Sequence, residues 1–362
     1  MADRSTEIRW LEQLTSIPSV PGREEGVMEW VRRWVGRRAD LTAKTDRSGN
    51  LLITQKGRKQ AAPVIAVAHT DHPGFVVIAR EGREVTAEFR GGVRPQYFEG
   101  ARVEFLDAAG RAHRHRLDDY APEQAIGRLR VPAASPLAVG DIGRWALPAT
   151  RRTASGLLQA PACDDLAGVA AALSALDRAR GEAARRHFGV LLTRAEEVGF
   201  VGAIGAARDG TLPPESRVLS IECSRAFADS PIGGGPVVRV GDASSVFHHD
   251  LTNRVADAVK AAGIRHQRKL MAGGSCEATA FLAYGYSTTG LCLPLGNYHN
   301  MGNLDQVERG QGPARIALEE VSLDDYAGLV DLLGVATTAV DGDWDLVARL
   351  DARFERERYV LG

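Results

Sequence analysis

The run Pro63-Val64-Ile65-Ala66-Val67-Ala68 is apolar at every position and stops at His69. A strand with one wet face alternates apolar and polar residues. An unbroken apolar run instead marks a strand covered on both sides, as in a parallel sheet flanked by helices. Three further segments repeat the pattern. Phe188-Gly189-Val190-Leu191-Leu192-Thr193 ends near Glu196-Glu197, Arg217-Val218-Leu219-Ser220-Ile221 ends at Glu222, and Gly290-Leu291-Cys292-Leu293 leads to the loop holding His299. In open α/β sheets ligands collect beyond the carboxyl ends of the strands, which is where these side chains fall.

The rest of the chain fits around that sheet. Ile8, Leu11 and Leu14 keep helical spacing, the Ile17-to-Gly22 stretch with two prolines breaks it, and a second helix is expected from about Arg23. Helices are also expected over Leu166–Arg180, Gly202–Arg208, Leu251–Ala262 with Asp250 as cap, Asp324–Val340 and Trp344–Glu357. From about Gly74 to Ala160 the texture changes to short strands cut by Gly and Pro, such as Phe75-Val76-Val77-Ile78. In Arg102-Val103-Glu104-Phe105-Leu106, Val103 and Phe105 share one face and charge takes the other. The expected fold is therefore α/β: a mixed sheet flanked by helices, with a small inserted β-barrel. The boundaries are 1–73 and 161–362 for the α/β part and 74–160 for the insert.

With 362 residues, 44% hydrophobic and 25% charged, the composition is that of a soluble globular chain large enough for two domains. A net charge of −1 gives no whole-chain support for a nucleic-acid or anionic-membrane partner. No apolar stretch approaches the roughly 18 residues of a membrane span, and the N-terminus has no secretory pattern, so a cytoplasmic location is expected. Cys163, Cys223, Cys276 and Cys292 have neither zinc-ribbon nor disulfide-framework spacing and read as free thiols. Cys163 and Cys223 adjoin proposed ligands, and in extended backbone alternation would turn them away, to pack as small hydrophobes.

Taken singly, each acid or histidine has an ordinary explanation. Asp164-Asp165 suits a helix N-cap, Glu196-Glu197 could be solvated acids, and His299 an ordinary loop residue. Jointly, His69, Asp164, Glu197, Glu222 and His299 are the donor set of a two-metal hydrolase, with Glu196 free to act as a base. Asp71 can accept the second ring N–H of His69 and fix its tautomer. Adjacent carboxylates at Glu196-Glu197 would repel unless a cation or proton intervened. His113 and His115 share a face of an insert strand, while His187, His248, His249 and His266 fit structural roles. His72 adjoins Asp71 and could reach the cleft.

At these residues the chain resembles the tetrahedral and glutamyl aminopeptidases, family forty-two of the metallopeptidases. The likeness runs from Leu11–Glu25 and Ser48-Gly49-Asn50-Leu51 through His69-Thr70-Asp71, Asp164-Asp165, Glu196-Glu197-Val198-Gly199 and Gly273-Gly274-Ser275 to Tyr298-His299. It implies two divalent cations, zinc first with cobalt or manganese as alternatives. Asp164 would bridge, His69 and Glu222 would complete one site, and Glu197 and His299 the other. Glu196 would be the general base and Asp71 the support of His69. His72, Gly273 and Gly274 would face the substrate, and the Asp164–Asp165 peptide would be cis. The wide gap between Asp71 and Asp164 suits an early insert, which the single-domain bacterial aminopeptidases lack; aminoacylase-type relatives insert later.

The implied activity is hydrolysis of N-terminal peptide bonds, with a peptide or small amide as substrate and a dimer-built homo-oligomer, up to a dodecamer, as the assembly. His72 stands where the family has an acid, Leu166 where it has a base, Glu222 where it has Asp, Asn297 near its Arg-Tyr pair, and Cys276-Glu277 where it has Asp-Ala. Those departures keep two alternatives open: a deacylase or amidohydrolase on N-acyl or non-peptide substrates, and a metal-binding assembly protein that has lost turnover. Glycoside hydrolysis by Glu196 and Glu222 is the rival chemistry. It leaves the histidines and Asp164 idle.

Overall fold

The computed structural model describes residues 2–57, 62–340 and 344–361. Two helices open the chain. In α1 (Arg4–Leu14), the Asp3 side chain accepts the Thr6 N–H and so caps an orphan donor of the first turn. The second helix, α2 (Glu25–Gly36), begins two residues later than expected, because Glu24 is drawn into the interior instead.

The main sheet has eight strands. Its N-terminal members are β1 (Leu41–Thr45), β2 (Leu51–Gln55) and β3 (Val64–His69). A second, seven-stranded antiparallel sheet follows, made of β4 (Gly74–Glu81), β5 (Glu84–Arg90), β6 (Arg102–Leu106), β7 (Ala112–Arg116), β8 (Asp119–Ala121), β9 (Ile126–Arg130) and β10 (Ile142–Trp145). It runs β7-β6-β10-β4-β5-β9-β8 and curls around Phe75, Phe89, Phe98, Phe105 and Trp145. Phe75 makes edge-to-face contacts with Phe89, Phe98 and Trp145 at 4.8–6.1 Å, the geometry that ring quadrupoles favour. Glu104 on β6 departs from the expected wet face. It is buried and held by Arg114 at 2.9 Å and Arg144 at 3.2 Å.

Strands β11 (Arg151–Arg152) and β12 (Leu157–Ala160) already belong to the other body, since β12 pairs with Glu319–Ser322. Helix α3 (Leu166–Ala179) then crosses to β13 (Phe188–Thr193), and α4 (Val201–Arg208) to β14 (Arg217–Arg225). The chain continues with β15 (Val237–Gly241), α5 (His249–Ala261), β16 (Gln267–Leu270), α6 (Glu277–Ala283) and β17 (Ser287–Leu295). Helices α7 (Leu304–Glu308), α8 (Leu323–Ala339) and α9 (Leu346–Glu357) close it. Helix α5 starts earlier than expected and is capped by the His248 side chain, not by Asp250.

The main sheet order is β1-β2-β13-β3-β14-β17-β15-β16. Its centre, β13-β3-β14-β17, is wholly parallel. Every residue of β3 and β13 is buried, as their unbroken apolar runs require. One face packs on α1, α2, α3, α5 and α8, the other on α4 and α6 through Ala203, Ala206, Ala280 and Phe281. Parallel alignment puts the ends of these four strands on one rim, which builds the site. All four cysteines are free and buried, with Cys163 and Cys223 in the main core.

Candidate active site

His69 ends β3, Glu222 lies on β14, Glu196-Glu197 follow β13 and His299 follows β17. The Asp164-Asp165 peptide, which is cis, enters from the turn before α3. The structure gathers these groups at one spot. His69 Nε2 lies 3.3 Å from Asp164 Oδ1 and 3.7 Å from Glu222 Oε2. His299 Nε2 lies 3.1 Å from Glu197 Oε2 and 3.6 Å from Asp164 Oδ2. The two oxygens of Asp164 thus face different clusters, His69–Asp164–Glu222 and Asp164–Glu197–His299. Ligand atoms within each cluster lie within 4.8 Å of one another, close enough to hold a metal ion.

Asp164 Oδ1, Glu197 Oε1 and Glu222 Oε1 are buried and accept no hydrogen bond among the described residues. Dry carboxylate oxygens without donors are costly, and cations are the partners that would satisfy them. Charge crowding points the same way. Burial, and then the neighbouring Glu222, push the Glu196 carboxyl well above its ordinary range. Burial also raises Glu197. Burial opposes ionisation of Asp164, yet the His299 and His69 rings beside it outweigh that and hold the carboxyl low. Burial likewise disfavours the charged forms of His69 and His299, and the carboxylates around them still raise both.

The surrounding residues hold this set in place. The Asp71 carboxylate accepts the backbone N–H groups of both Glu196 and Glu197 at 3.0 Å. His69 Nδ1 lies 3.1 Å from the Asp71 carbonyl and 3.5 Å from its carboxylate, so the nearer partner is the backbone oxygen. Asp71 therefore ties the β13 loop to the β3 end as well as steadying His69. His299 Nδ1 is fixed by the carbonyl of Gly92, 2.7 Å away, which comes from the loop after β5. Ala195, Phe200 and His299 have positive φ, and such non-glycine backbone, costing about 1–3 kcal/mol each, concentrates at functional sites.

His72 lies behind the ligands. Its Nδ1 meets the Asp164 carbonyl at 2.8 Å, its Nε2 meets Asn300 Oδ1 at 3.1 Å, and burial lowers its pKa. The cleft itself, of about 680 Å³, is lined by other residues. Gly273 and Gly274 border it, with open space where a Cβ would stand. Asp165 sits at the N-cap position of α3 without capping it. Its buried oxygens find no donor and press against Gly168, where a Cβ would stand only 2.2 Å away.

Sequence reasoning gave no site role to three acids. Glu319 is fully buried and accepts the N–H groups of Cys163 and Asp164 on one oxygen and of His299 on the other, at 2.6–3.0 Å. Burial, and then Asp164, push it up to about 8. Glu24 accepts from Gly22 and Ala195 and pairs with Arg194. Glu277 opens α6 fully buried, and desolvation pushes it up to about 8. Glu24 stood inside the Gly22-Arg23-Glu24-Glu25 stretch, but no short motif marks Glu319.

The fold is shared with solved aminopeptidase chains. The family model described as M42 glutamyl aminopeptidase matches residues 134–310. A protein of Acetivibrio thermocellus named "Putative aminopeptidase" is 26% identical over 315 residues, covering 80% of this chain and 91% of that one. Among solved structures, the TET aminopeptidase of a marine-sediment thaumarchaeon superposes with a TM-score of 0.78 at 19% identity, covering 94% of this chain and 98% of its own. The TET1 peptidase of Pyrococcus horikoshii, described as assembling into a tetrahedron or a large octahedral shell, gives 0.74 at 21%, covering 93% and 100%. The family read from the residues is thus the one whose model the chain matches. Among the described residues no helix is long and apolar enough to cross a membrane.

Proposed function

We propose that this chain is a metal-dependent aminopeptidase, hydrolysing the N-terminal peptide bond of a peptide or small amide. One observation carries the reading: a buried Asp164 presents one oxygen to each of two His-carboxylate clusters, among acceptors that lack donors. His69, Asp164 and Glu222 would hold one divalent cation, and Asp164, Glu197 and His299 the other. Imidazole with carboxylate suits zinc, and cobalt or manganese fit the same donors. Bound there, the cations supply Lewis acidity that polarises the scissile carbonyl and acidifies the attacking water.

The chain's own groups do the rest. Glu196 lines the cleft, and its N–H is pinned by Asp71. Its carboxylate takes the proton of the attacking water and returns it to the departing amine, a task that suits an acid raised by burial. Asp71 holds Glu196 and Glu197 in one frame, so base and ligand cannot shift independently. The antiparallel unit, which spans Gly74–Trp145 because β11 and β12 pair with the other body, acts as an inserted domain that reaches the site through Gly92. The assembly named for the Pyrococcus relative supports a homo-oligomer of this chain as well.

The decisive experiment pairs metal analysis with a panel of aminoacyl and N-acyl substrates, using wild type and Glu196→Gln. The variant should keep its metal content and lose about 10²–10⁴-fold in kcat. Wild-type turnover in Glu196→Gln would remove that residue from the base role. Activity that survives chelation would instead favour glycoside-type or other metal-free chemistry. Cleavage of N-acyl substrates alone would point to a deacylase, and full metal occupancy without any turnover to an assembly protein.

A further inference from the structure

A groove of about 1200 Å³ runs along α1 and α2, and none of the residues lining it borders the cleft. Three of the chain's five tryptophans line it: Trp10, Trp30 and Trp34. So do five arginines against two acids, in a chain whose net charge is −1. Both acids are already matched. Glu12 binds Arg152 at 2.6 Å, and Asp177 binds Arg38 and Arg180 at 2.7 Å. Arg33 pairs with Glu29, but Arg9 and Arg37 form no salt bridge or hydrogen bond among the described residues. The groove therefore carries uncompensated positive charge beside aromatic surface.

One of these cations is held rigidly. Arg38 donates from Nε to Asp177 and from Nη1 to the Trp34 carbonyl, each at 2.7 Å, and its guanidinium lies 3.6 Å from the centre of the Trp34 ring. Its Nη2 makes no hydrogen bond among the described residues, although the side chain is only 12% exposed. Helical spacing arranges the neighbours. Trp30 and Trp34 stand four apart on α2, and so do Arg33 and Arg37, the latter one residue past the helix end. Arg9 and Trp10 come from α1. Trp10 and Trp30 pack on the main core yet stay partly exposed. Core packing accounts for buried Trp34, but not for the unmatched cations around it. Like charges at this spacing destabilise a helix until an anion meets them.

We propose that this groove is a second binding site that takes a nucleoside polyphosphate, with phosphates on Arg9, Arg37 and Arg38 and the base on the open indole of Trp10 or Trp30. The planar guanidinium fork matches phosphate oxygens, and every base has a flat face that stacks on an aromatic ring. Several cations within one small groove call for several negative charges on one ligand, and the rings beside them call for a planar group on that same ligand. Inorganic polyphosphate would use the cations alone, and a neutral nucleoside the rings alone. The site does not depend on the hydrolase reading, because it shares no residue with the cleft.

The test is calorimetric titration of the full chain with ATP, tripolyphosphate and adenosine, with magnesium in excess so that the nucleotide strips no cation from the clusters. ATP should bind about tenfold or more tightly than either fragment, because it alone engages both cations and rings. Its affinity should fall as salt is raised. Arg9→Gln and Arg37→Gln should each weaken ATP about fivefold and leave adenosine unchanged. Neither residue has a partner to lose, so Tm should stay at the wild-type value in both. Equal affinity for ATP and tripolyphosphate would mean that charge alone is read, and would overturn the proposal. Wild-type affinity in the double variant Arg9→Gln/Arg37→Gln would overturn it too, by placing the nucleotide elsewhere, such as at the His-carboxylate clusters. So would a wild type that binds no ATP at millimolar concentration, a result that needs no variant to fold.

Discussion

Glu319 shows how much of the site is decided by single residues outside the donor set. One carboxylate receives backbone N–H groups from both sides of the centre, those of Cys163 and Asp164 and that of His299. Glu319→Gln puts an amide donor against one of these sets. Partners that orient ligands typically matter 10–100-fold, so cation affinity should fall by about that factor. A chelator-competition titration measures it, and an unchanged affinity would reduce Glu319 to packing. Glu277 adds a pH dependence. Its folded pKa of about 8 exceeds the ordinary glutamate value of 4.5, so the folded state holds a proton the unfolded chain has released. Stability from this group is complete below about 4.5 and declines as pH rises towards about 8. In metal-free protein, Glu277→Gln should raise Tm more at pH 8 than at pH 5. An equal shift at both would refute the assignment.

At the scale of elements, the curled sheet depends on its aromatic centre. Phe75 is fully buried among Phe89, Phe98, Phe105 and Trp145, and truncating such a residue costs about 3–5 kcal/mol. Phe75→Ala should therefore lower the denaturant midpoint markedly. It should also weaken cation binding, because the loop after β5 supplies the carbonyl that fixes His299. A destabilised variant with normal cation affinity would show that the two bodies are uncoupled. The elements most legible in the sequence were those with one dominant signal: β3 and β13 from continuous apolar runs, α3 and α8 from long helical stretches. The expected helix start at Arg23 and the cap at Asp250 missed because local propensity was overruled. Glu24 is claimed by Gly22, Ala195 and Arg194, and His248 reaches the Leu251 N–H first. Short strands such as β15 and β16 escaped notice because polar residues interrupt them where they meet the edge of the sheet.

At the scale of the whole molecule, α9 stands apart. Leu346, Val347, Leu350 and Phe354 are all more than 40% exposed, and no residue of the helix is buried. Exposed apolar faces of this kind mark association surfaces. If the chain forms a homo-oligomer through it, Leu350→Glu with Phe354→Glu should reduce the assembled mass in light scattering while leaving the Tm of the body unchanged. An unaltered mass would place the contacts elsewhere.

The sequence by itself determined the parallel α/β centre, because only strands covered on both faces can afford such unbroken apolar runs. It also determined that ligand-type residues lie at or just beyond strand ends at His69, Glu197 and His299, whereas the strand expected to end at Glu222 runs on to Arg225. Only tertiary structure decided that Asp71 holds the Glu196-Glu197 backbone, that the Gly92 carbonyl fixes His299, and that Glu319 joins the site. The physical reason is common to all of these. Their partners are far apart along the chain, and contacts between distant segments leave no periodic trace in the residues that make them.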